Sequence, residues 1–390
     1  MHGPAGGAYR KEAERLAAGL RERSREIEDA RRLPPDVARA LEAAGLLRLC
    51  LPRSLGGPEL PLPELVAVLA TLAAGDAAAA WCAMIASTTA ALGAWLEPEA
   101  ARRLLAAPGA VAAGVFAATG RARRVEGGYR MEGRWRFASG CEHATCLLGG
   151  CRVEDDVAAE AATGTASRPD LRLLFLPAAE VEILDTWHVA GLAGTGSQDL
   201  VVRDRFVPTA HAVSLLTDAP RETGPLYRFP IFGLLAVGVA SVALGIARRA
   251  LDELRILALR KTPAGTQRRL AERGTVQAAV AEAEGVLGGG HAGLLAAVSE
   301  AWERASAGAG SGPPERARVR IAASHAVRAA ARAVDVAYEL GGGTAIYAES
   351  PLQRCFRDVH VVTQHASVAG GSLELAGRAW LGLAGDFSIL

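Results

Sequence analysis

From Gly109 to Pro208 the chain drops the helical period that governs it on either side, and this change limits the folds open to it. A stretch patterned every two residues does not sit as a helix, nor the reverse, so the order must be helical, then β, then helical. Within the middle stretch, Val111 to Ala118, Tyr129 to Ala138, Cys146 to Val153, Leu171 to Leu176, Val181 to Leu184 and Leu200 to Phe206 read as strands. Asp155 to Asp170 is small and polar, a surface excursion between two of them. Several short strands with turn signals suit a compact sandwich or barrel.

The flanks carry the longer period. Glu12 to Asp29 has a stripe at Leu16, Leu20 and Ile27, and Pro34-Pro35 starts a second helix with Val37, Leu41 and Leu47. Leu65 to Leu72, Ala77 to Leu92 and Glu97 to Leu105 follow, with Asp76 placed to cap the middle one. After Pro225 four long helices are expected: Phe232 to Leu259, Leu270 to Ala307 with a bend at Gly288-Gly289-Gly290, Glu315 to Leu340, and Pro351 to Leu383. Long helices with short loops make a bundle. The fold class is α+β, mainly α, divided as residues 1–110 helical, 111–224 β, and 225–390 a four-helix bundle.

The run Tyr129-Arg-Met-Glu-Gly-Arg-Trp-Arg-Phe-Ala-Ser-Gly140 stands out in the β part. Glycines at 127, 128 and 133 punctuate two short runs that suit strands joined at a tight turn. Ser139-Gly140 then closes the run just after Trp135 and Phe137. An indole, a hydroxyl and an approachable backbone at one strand end suit a flat ring. On residue type alone the same run is a hairpin with a buried tryptophan.

Composition excludes several classes. A formal net charge of +1 gives no reason to expect nucleic acid or an anionic membrane as partner. Cys50, Cys82, Cys141, Cys146, Cys151 and Cys355 include no Cys-x-x-Cys spacing and read as small core residues, so no metal site is expected. Phe229 to Ala247 has about the length of a membrane span, but it holds Pro230 and three glycines and runs into Arg248-Arg249. With no signal-peptide pattern in Met1 to Tyr9, a soluble cytoplasmic protein is expected.

Three stretches, in order, carry a resemblance. They are Gly133-Arg-Trp-Arg-Phe-Ala-Ser-Gly140 with His143-Ala144, then Asp185-Thr-Trp-His-Val-Ala-Gly-Leu-Ala-Gly-Thr-Gly-Ser197, then Gly341-Gly-Gly with Ser350 to Asp358 and Gln364-His365. With the domain order, the chain resembles the acyl-CoA dehydrogenase superfamily, and within it the two-component flavin-dependent monooxygenases. The resemblance implies reduced FMN or FAD with O2 as co-substrate, a separate NAD(P)H:flavin reductase, a small-molecule substrate and a homotetramer built as a dimer of dimers. No Gly-x-Gly-x-x-Gly follows a strand, which agrees with a separate reductase.

The resemblance also implies a site. Trp135, Phe137, Ser139, Trp187, Gly194, Thr195 and Ser197 would line the flavin, Ser139 lying near its reactive nitrogen and carbonyl and donating a hydrogen bond there. Arg260 and Gln277 would grip its phosphates across the dimer, although the Phe-Gly expected after the arginine is missing. As residue types alone, His188 is a strand histidine and Arg260 and Gln277 are solvated helix surface. His143, Trp81 and Phe232 would line the substrate pocket. Arg357-Asp358 would form an ion pair within the last helix.

The reaction turns on one position. An acyl-CoA dehydrogenase needs a carboxylate to take an α-proton, and many relatives carry a glutamate that falls near Ala366 here. This sequence has no acidic residue from Val359 to Gly370, and Glu284 and Glu339 look like helix surface. His365 stands beside that position, on the final helix, and a histidine neutral at pH 7 suits a base that activates a phenol or amine. The implied activity is a reduced-flavin monooxygenase working through a flavin hydroperoxide on an aromatic or amine substrate, with His365 and Ser139 as catalytic residues. A flavin dehydrogenase or desaturase, and a non-redox ligand-binding relic of the fold, remain as alternatives.

Overall fold

The computed structural model describes residues 4–154 and 169–390. The N-terminal part holds α1 (Pro4–Ala30), α2 (Pro35–Ala43), α3 (Leu62–Gly75), α4 (Ala77–Ala90) and α5 (Pro98–Ala101), the last widening into a looser turn to Ala106. Asp76 caps α4 as its sequence position suggested, Oδ1 accepting from the Ala79 amide at 2.9 Å. Most of the expected excursion after the third strand lies outside the described residues.

The middle part is one seven-stranded sheet: β1 (Ala112–Val125), β2 (Gly128–Ala138), β3 (Cys146–Glu154), β4 (Leu171–Pro177), β5 (Glu182–Leu184), β6 (Gln198–Pro208) and β7 (Ala212–Val213). Their spatial order is β5-β6-β2-β1-β3-β4-β7, with only β1 and β3 parallel. β1 runs past the expected Ala118, because Arg121 to Val125 pair with the start of β2 while Ala122 turns inward. The tight turn is at Glu126-Gly127, and β2 is continuous through Gly133. Gly133 has a left-handed φ of +155° and marks a register shift against β6, a bulge rather than a turn.

Alternation gives the sheet two cores. Leu147 and Cys151 face an interior packed around Trp135 and Met131, whereas Cys146 and Leu148 face Leu92, Leu96 and Leu105 of the helical part. Trp135 is fully buried, and its Nε1 donates to the Gly150 carbonyl at 2.7 Å. Its ring fits only because Gly120 and Gly149 lack side chains; a Cβ there would lie 2.0 and 2.6 Å from the indole.

The C-terminal part holds α6 (Pro225–Arg228), α7 (Ile231–Arg260), α8 (Gly274–Ser306), α9 (Pro313–Gly341), α10 (Pro351–Val362) and α11 (Gly370–Trp380). α8 is an unbroken helix through the three glycines where a bend was expected, and Gly290 sits directly on Ala329 of α9. The expected last helix is two helices. They separate at Thr363 to Ala369, where the His365 carbonyl accepts from both the Val368 and Ala369 amides. Two stretches, Ala77–Ala94 and Ile231–Arg260, are apolar and long enough to cross a membrane, but 94% and 78% of their most apolar windows are buried inside the protein. They form the shared core of α3, α4 and the bundle.

The glycine cradle of Trp135 sets a test. Gly120→Ala is expected to cost about 1–3 kcal/mol by overpacking, seen as a lower midpoint in urea or thermal unfolding. An unchanged midpoint would contradict this placement of the indole.

Candidate functional site

The residues that converge come from α4, the end of β2, the loop before β6 and the turn between α10 and α11. Half of the α4 residues are alanine, which lets the helix lie close against the sheet and brings Trp81 to the strand end. Trp81 Nε1 donates to Ser139 Oγ at 3.0 Å, and the Trp81 ring meets His365 edge-on with centroids 5.5 Å apart. One indole thus joins the two residues that sequence reasoning had singled out from distant parts of the chain.

Ser139 stands in a chain of hydroxyls whose direction is fixed by counting protons. Thr195 Oγ1 lies 2.8 Å from the Leu192 carbonyl, which can only accept, so the Thr195 proton points there. Ser197 Oγ is 2.6 Å from Thr195 Oγ1 and must donate to it. Ser139 Oγ is 2.7 Å from Ser197 Oγ and must donate in turn. The order is Trp81 N–H to Ser139, to Ser197, to Thr195, to Leu192. In this order Ser139, expected as a donor toward a ligand, has its proton committed within the chain and one lone pair left.

Phe137 ends β2 in the left-handed region at φ +69°, its carbonyl accepting from the Ser139 amide at 2.9 Å. The bulge between Trp135 and Ala138 turns this ring outward, 68% exposed and edge-on to Trp187 at 6.1 Å. Trp187 is buried, its Nε1 donating to the Leu192 carbonyl at 3.2 Å and its amide to Gln198 Oε1 at 2.9 Å. The expected flavin contact of Trp135 is not met, since two residues back the side chain points into the sheet. Gly194 serves a different approach from the one expected: a Cβ there would meet Ile27 of α1 at 2.3 Å. Thr195 is sealed at 1% exposure, its hydroxyl in contact with the Leu192 carbonyl and Ser197 Oγ. His188 is exposed on a loop rather than a strand, beside Arg31 and Asp185.

His365 lies in the turn, not on a helix. Its Nδ1 accepts from the Ser367 amide at 3.2 Å, so the neutral ring carries its proton on Nε2. Burial, with the positive Arg320 nearby, pushes its pKa down to about 4. Arg320 was invisible in the sequence among many arginines. It is buried and grips the backbone of this region, donating to the Ser367, Phe232 and Ile389 carbonyls at 3.1, 3.3 and 2.9 Å. Phe232 is half-buried at the start of α7. His143, whose pKa burial lowers to about 4, sits against Gly140. Arg260 and Gln277 are exposed, and Arg260 is about 42 Å from Phe232 along α7 at roughly 1.5 Å per residue.

The expected Arg357–Asp358 pair is absent. Arg357 pairs with Glu28, as does Arg354 at 2.7 Å. Asp358 instead accepts from the Leu192 amide at 2.6 Å. Glu284 is taken by Arg248 at 2.6 Å.

The comparisons with known proteins agree with this architecture. Family models described as the acyl-CoA dehydrogenase N-terminal and C-terminal domains match residues 7–107 and 237–369. An indole-3-acetate monooxygenase of Pseudomonas putida is 33% identical, covering 95% of this chain and 93% of that one. The oxygenase component of an FADH2-dependent resorcinol hydroxylase of a Rhizobium species is 32% identical over 93% and 91% of the two chains. The solved structure of XiaF from a Streptomyces species, in complex with FADH2 and glycerol, superposes with a TM-score of 0.89 at 25% identity, covering 97% and 96% of the two chains. The chain belongs to the acyl-CoA dehydrogenase family, in its flavin-dependent monooxygenase branch.

For a member of this family, the residues present fit a flat ring. The outward Phe137 beside Trp187 is an apolar ledge, and the Ser139 lone pair next to it offers a polar contact. The carboxylate of a dehydrogenase is not found among the described residues of this site.

Asp358 gives a pH test. Burial first of all, with Asp76 and Glu28 adding, pushes its pKa up from 3.8 to about 7, against the pull of the Leu192 amide. The folded chain therefore holds a proton that the unfolded chain releases, and stability falls as pH rises through that window. Asp358→Asn keeps an acceptor for Leu192 and removes the titration. Its advantage over wild type in unfolding free energy is expected to grow from pH 4 to pH 7; a constant gap would contradict the raised value.

Proposed function

We propose that this protein is the oxygenase component of a two-component monooxygenase that uses reduced FMN or FAD and O2 to hydroxylate a small aromatic substrate. The observation that carries the reading is the meeting of Ser139 and His365 on Trp81, with a histidine beside the position where a dehydrogenase needs its glutamate. Family membership and the aromatic substrates named for the two relatives support it. When bound, reduced flavin supplies the electrons that activate O2 for transfer of one oxygen atom.

The chain's own residues do the rest. Phe137 and Trp187 hold a ring face, and Ser139 meets its polar edge. His365 faces the substrate as a neutral group that handles the proton of a phenol or heteroaromatic N–H. In its resting tautomer it offers Nε2–H, so accepting a proton there requires the ring to release the Ser367 amide first. His143, Trp81 and Phe232 wall the pocket. Arg260 and Gln277 serve a neighbouring subunit, a role supported by the exposure of both and by the distance of Arg260 from Phe232 along α7. Exposed Leu259, Ile346 and Tyr347 near that end of the bundle are suited to an oligomer contact. The assembly we propose is a homotetramer, cytoplasmic, divided near residues 110 and 224, and fed by a separate NAD(P)H:flavin reductase.

The test supplies reduced flavin from an unrelated reductase with NADH and follows oxygen from labelled O2 into a panel of phenols and indoles. Labelled product is expected, and its absence across the panel together with flavin bleaching by an acyl-CoA would favour a dehydrogenase. His365→Ala is expected to lower product formation by about 10²–10⁴-fold, measured as kcat/KM, while reduced-flavin binding stays within about threefold.

A further inference from the structure

The direction of the hydroxyl chain has a consequence for which redox state of the cofactor this protein accepts. Each hydroxyl has one proton, and the Leu192 carbonyl at the end of the chain can only receive. That carbonyl is itself fixed. It also takes the Trp187 indole N–H at 3.2 Å and the Thr195 amide at 3.1 Å, and the Leu192 amide is tied to Asp358. Ser139, Thr195 and Ser197 are 5%, 1% and 3% exposed, so water does not readily substitute for a missing partner. Reversing Ser139 would require Ser197 to turn its proton back, leaving Thr195 Oγ1 without its donor.

We propose that Thr195, through Ser197, holds Ser139 as a hydrogen-bond acceptor and thereby makes the site selective for reduced over oxidised flavin. The inference rests on the reading of the site given above. An oxidised isoalloxazine presents a bare ring nitrogen at its central polar edge, and the reduced ring presents an N–H at the same position. Facing a lone pair on Ser139, the reduced ring makes a hydrogen bond and the oxidised ring sets two lone pairs against each other. Thr195 is a positioning residue in this scheme, since it is sealed from the surface and touches no ligand. The device suits a protein that takes its cofactor reduced from a separate reductase and must release it oxidised.

The test measures affinity of the full-length protein for FAD in both redox states, anaerobically, by fluorescence titration. Wild type is expected to bind the reduced form more tightly by on the order of ten- to a hundredfold, the size of one buried hydrogen-bond mismatch. Thr195→Val is close in shape but cannot accept from Ser197, which frees the Ser197 and Ser139 protons to turn. The ratio of the two affinities should fall toward one, and Thr195→Ser should restore it. A purely structural role would weaken both forms equally and leave the ratio unchanged, which would overturn the proposal. Should Thr195→Val not fold, Ser197→Ala decides, since it removes the acceptor for the Ser139 proton and must also collapse the ratio. Equal wild-type affinity for both forms overturns this inference alone; no binding of either form overturns the functional reading with it.

Discussion

Leu192 is the point on which the site depends. Its amide is held by Asp358 from α10 and its carbonyl by Trp187 and Thr195, so one residue ties the loop before β6 to the bundle and to the strand end. It adopts a left-handed φ of +52°, uncommon for a branched aliphatic residue, and those bonds are what keep it there. Asp358 accepts a raised pKa for the purpose. A buried carboxylate is costly unless its oxygens are used, and a short bond to a backbone amide uses one of them. From this anchor the hydroxyl order, the orientation of Ser139 and the position of Trp81 follow in sequence.

The fold was readable because its signals are periodic. The switch at Gly109 and the return after Pro225 are visible in residue type alone, and Cys146 and Cys151, five residues apart on one strand, fall on opposite faces. One of the misreadings of the fold begins at a glycine. Gly133 looked like a turn and is a bulge. A glycine marks a place where something comes close, but the sequence does not say what. At Gly120 and Gly149 it is the Trp135 ring, which is held inside the sheet and leaves Phe137 as the exposed ring at the strand end.

The site was legible as a set of residues and not as a set of bonds. Ser139, Thr195, Ser197 and His365 could be chosen from motif order, but the direction of a hydrogen bond depends on which carbonyl ends the chain. Leu192 carries no side-chain signal of that kind. Arg320 was hidden for a similar reason, because its partners are backbone carbonyls from three segments far apart in sequence. Asp358 stood beside Arg357, and adjacency suggested a pair. On a helix, neighbours in sequence point about 100° apart, so Glu28 took one and Leu192 the other.

His365 illustrates how structure and chemistry become inseparable at a break between helices. Its carbonyl receives the Val368 and Ala369 amides and its Nδ1 the Ser367 amide, so one residue satisfies three donors ahead of α11. Alanine at this position removes the ring but keeps the carbonyl, so the turn loses one of three contacts and the functional group together. Glutamine separates the two. It retains an N–H donor and an amide oxygen for Ser367, yet it cannot take a proton near neutral pH. If His365 works by moving a proton, the glutamine variant should be as inactive as alanine while unfolding like wild type. If it works by donating from Nε2, glutamine should recover a measurable share of the activity. Because Ser367 occupies Nδ1 in the resting turn, the first outcome also requires that contact to open during turnover.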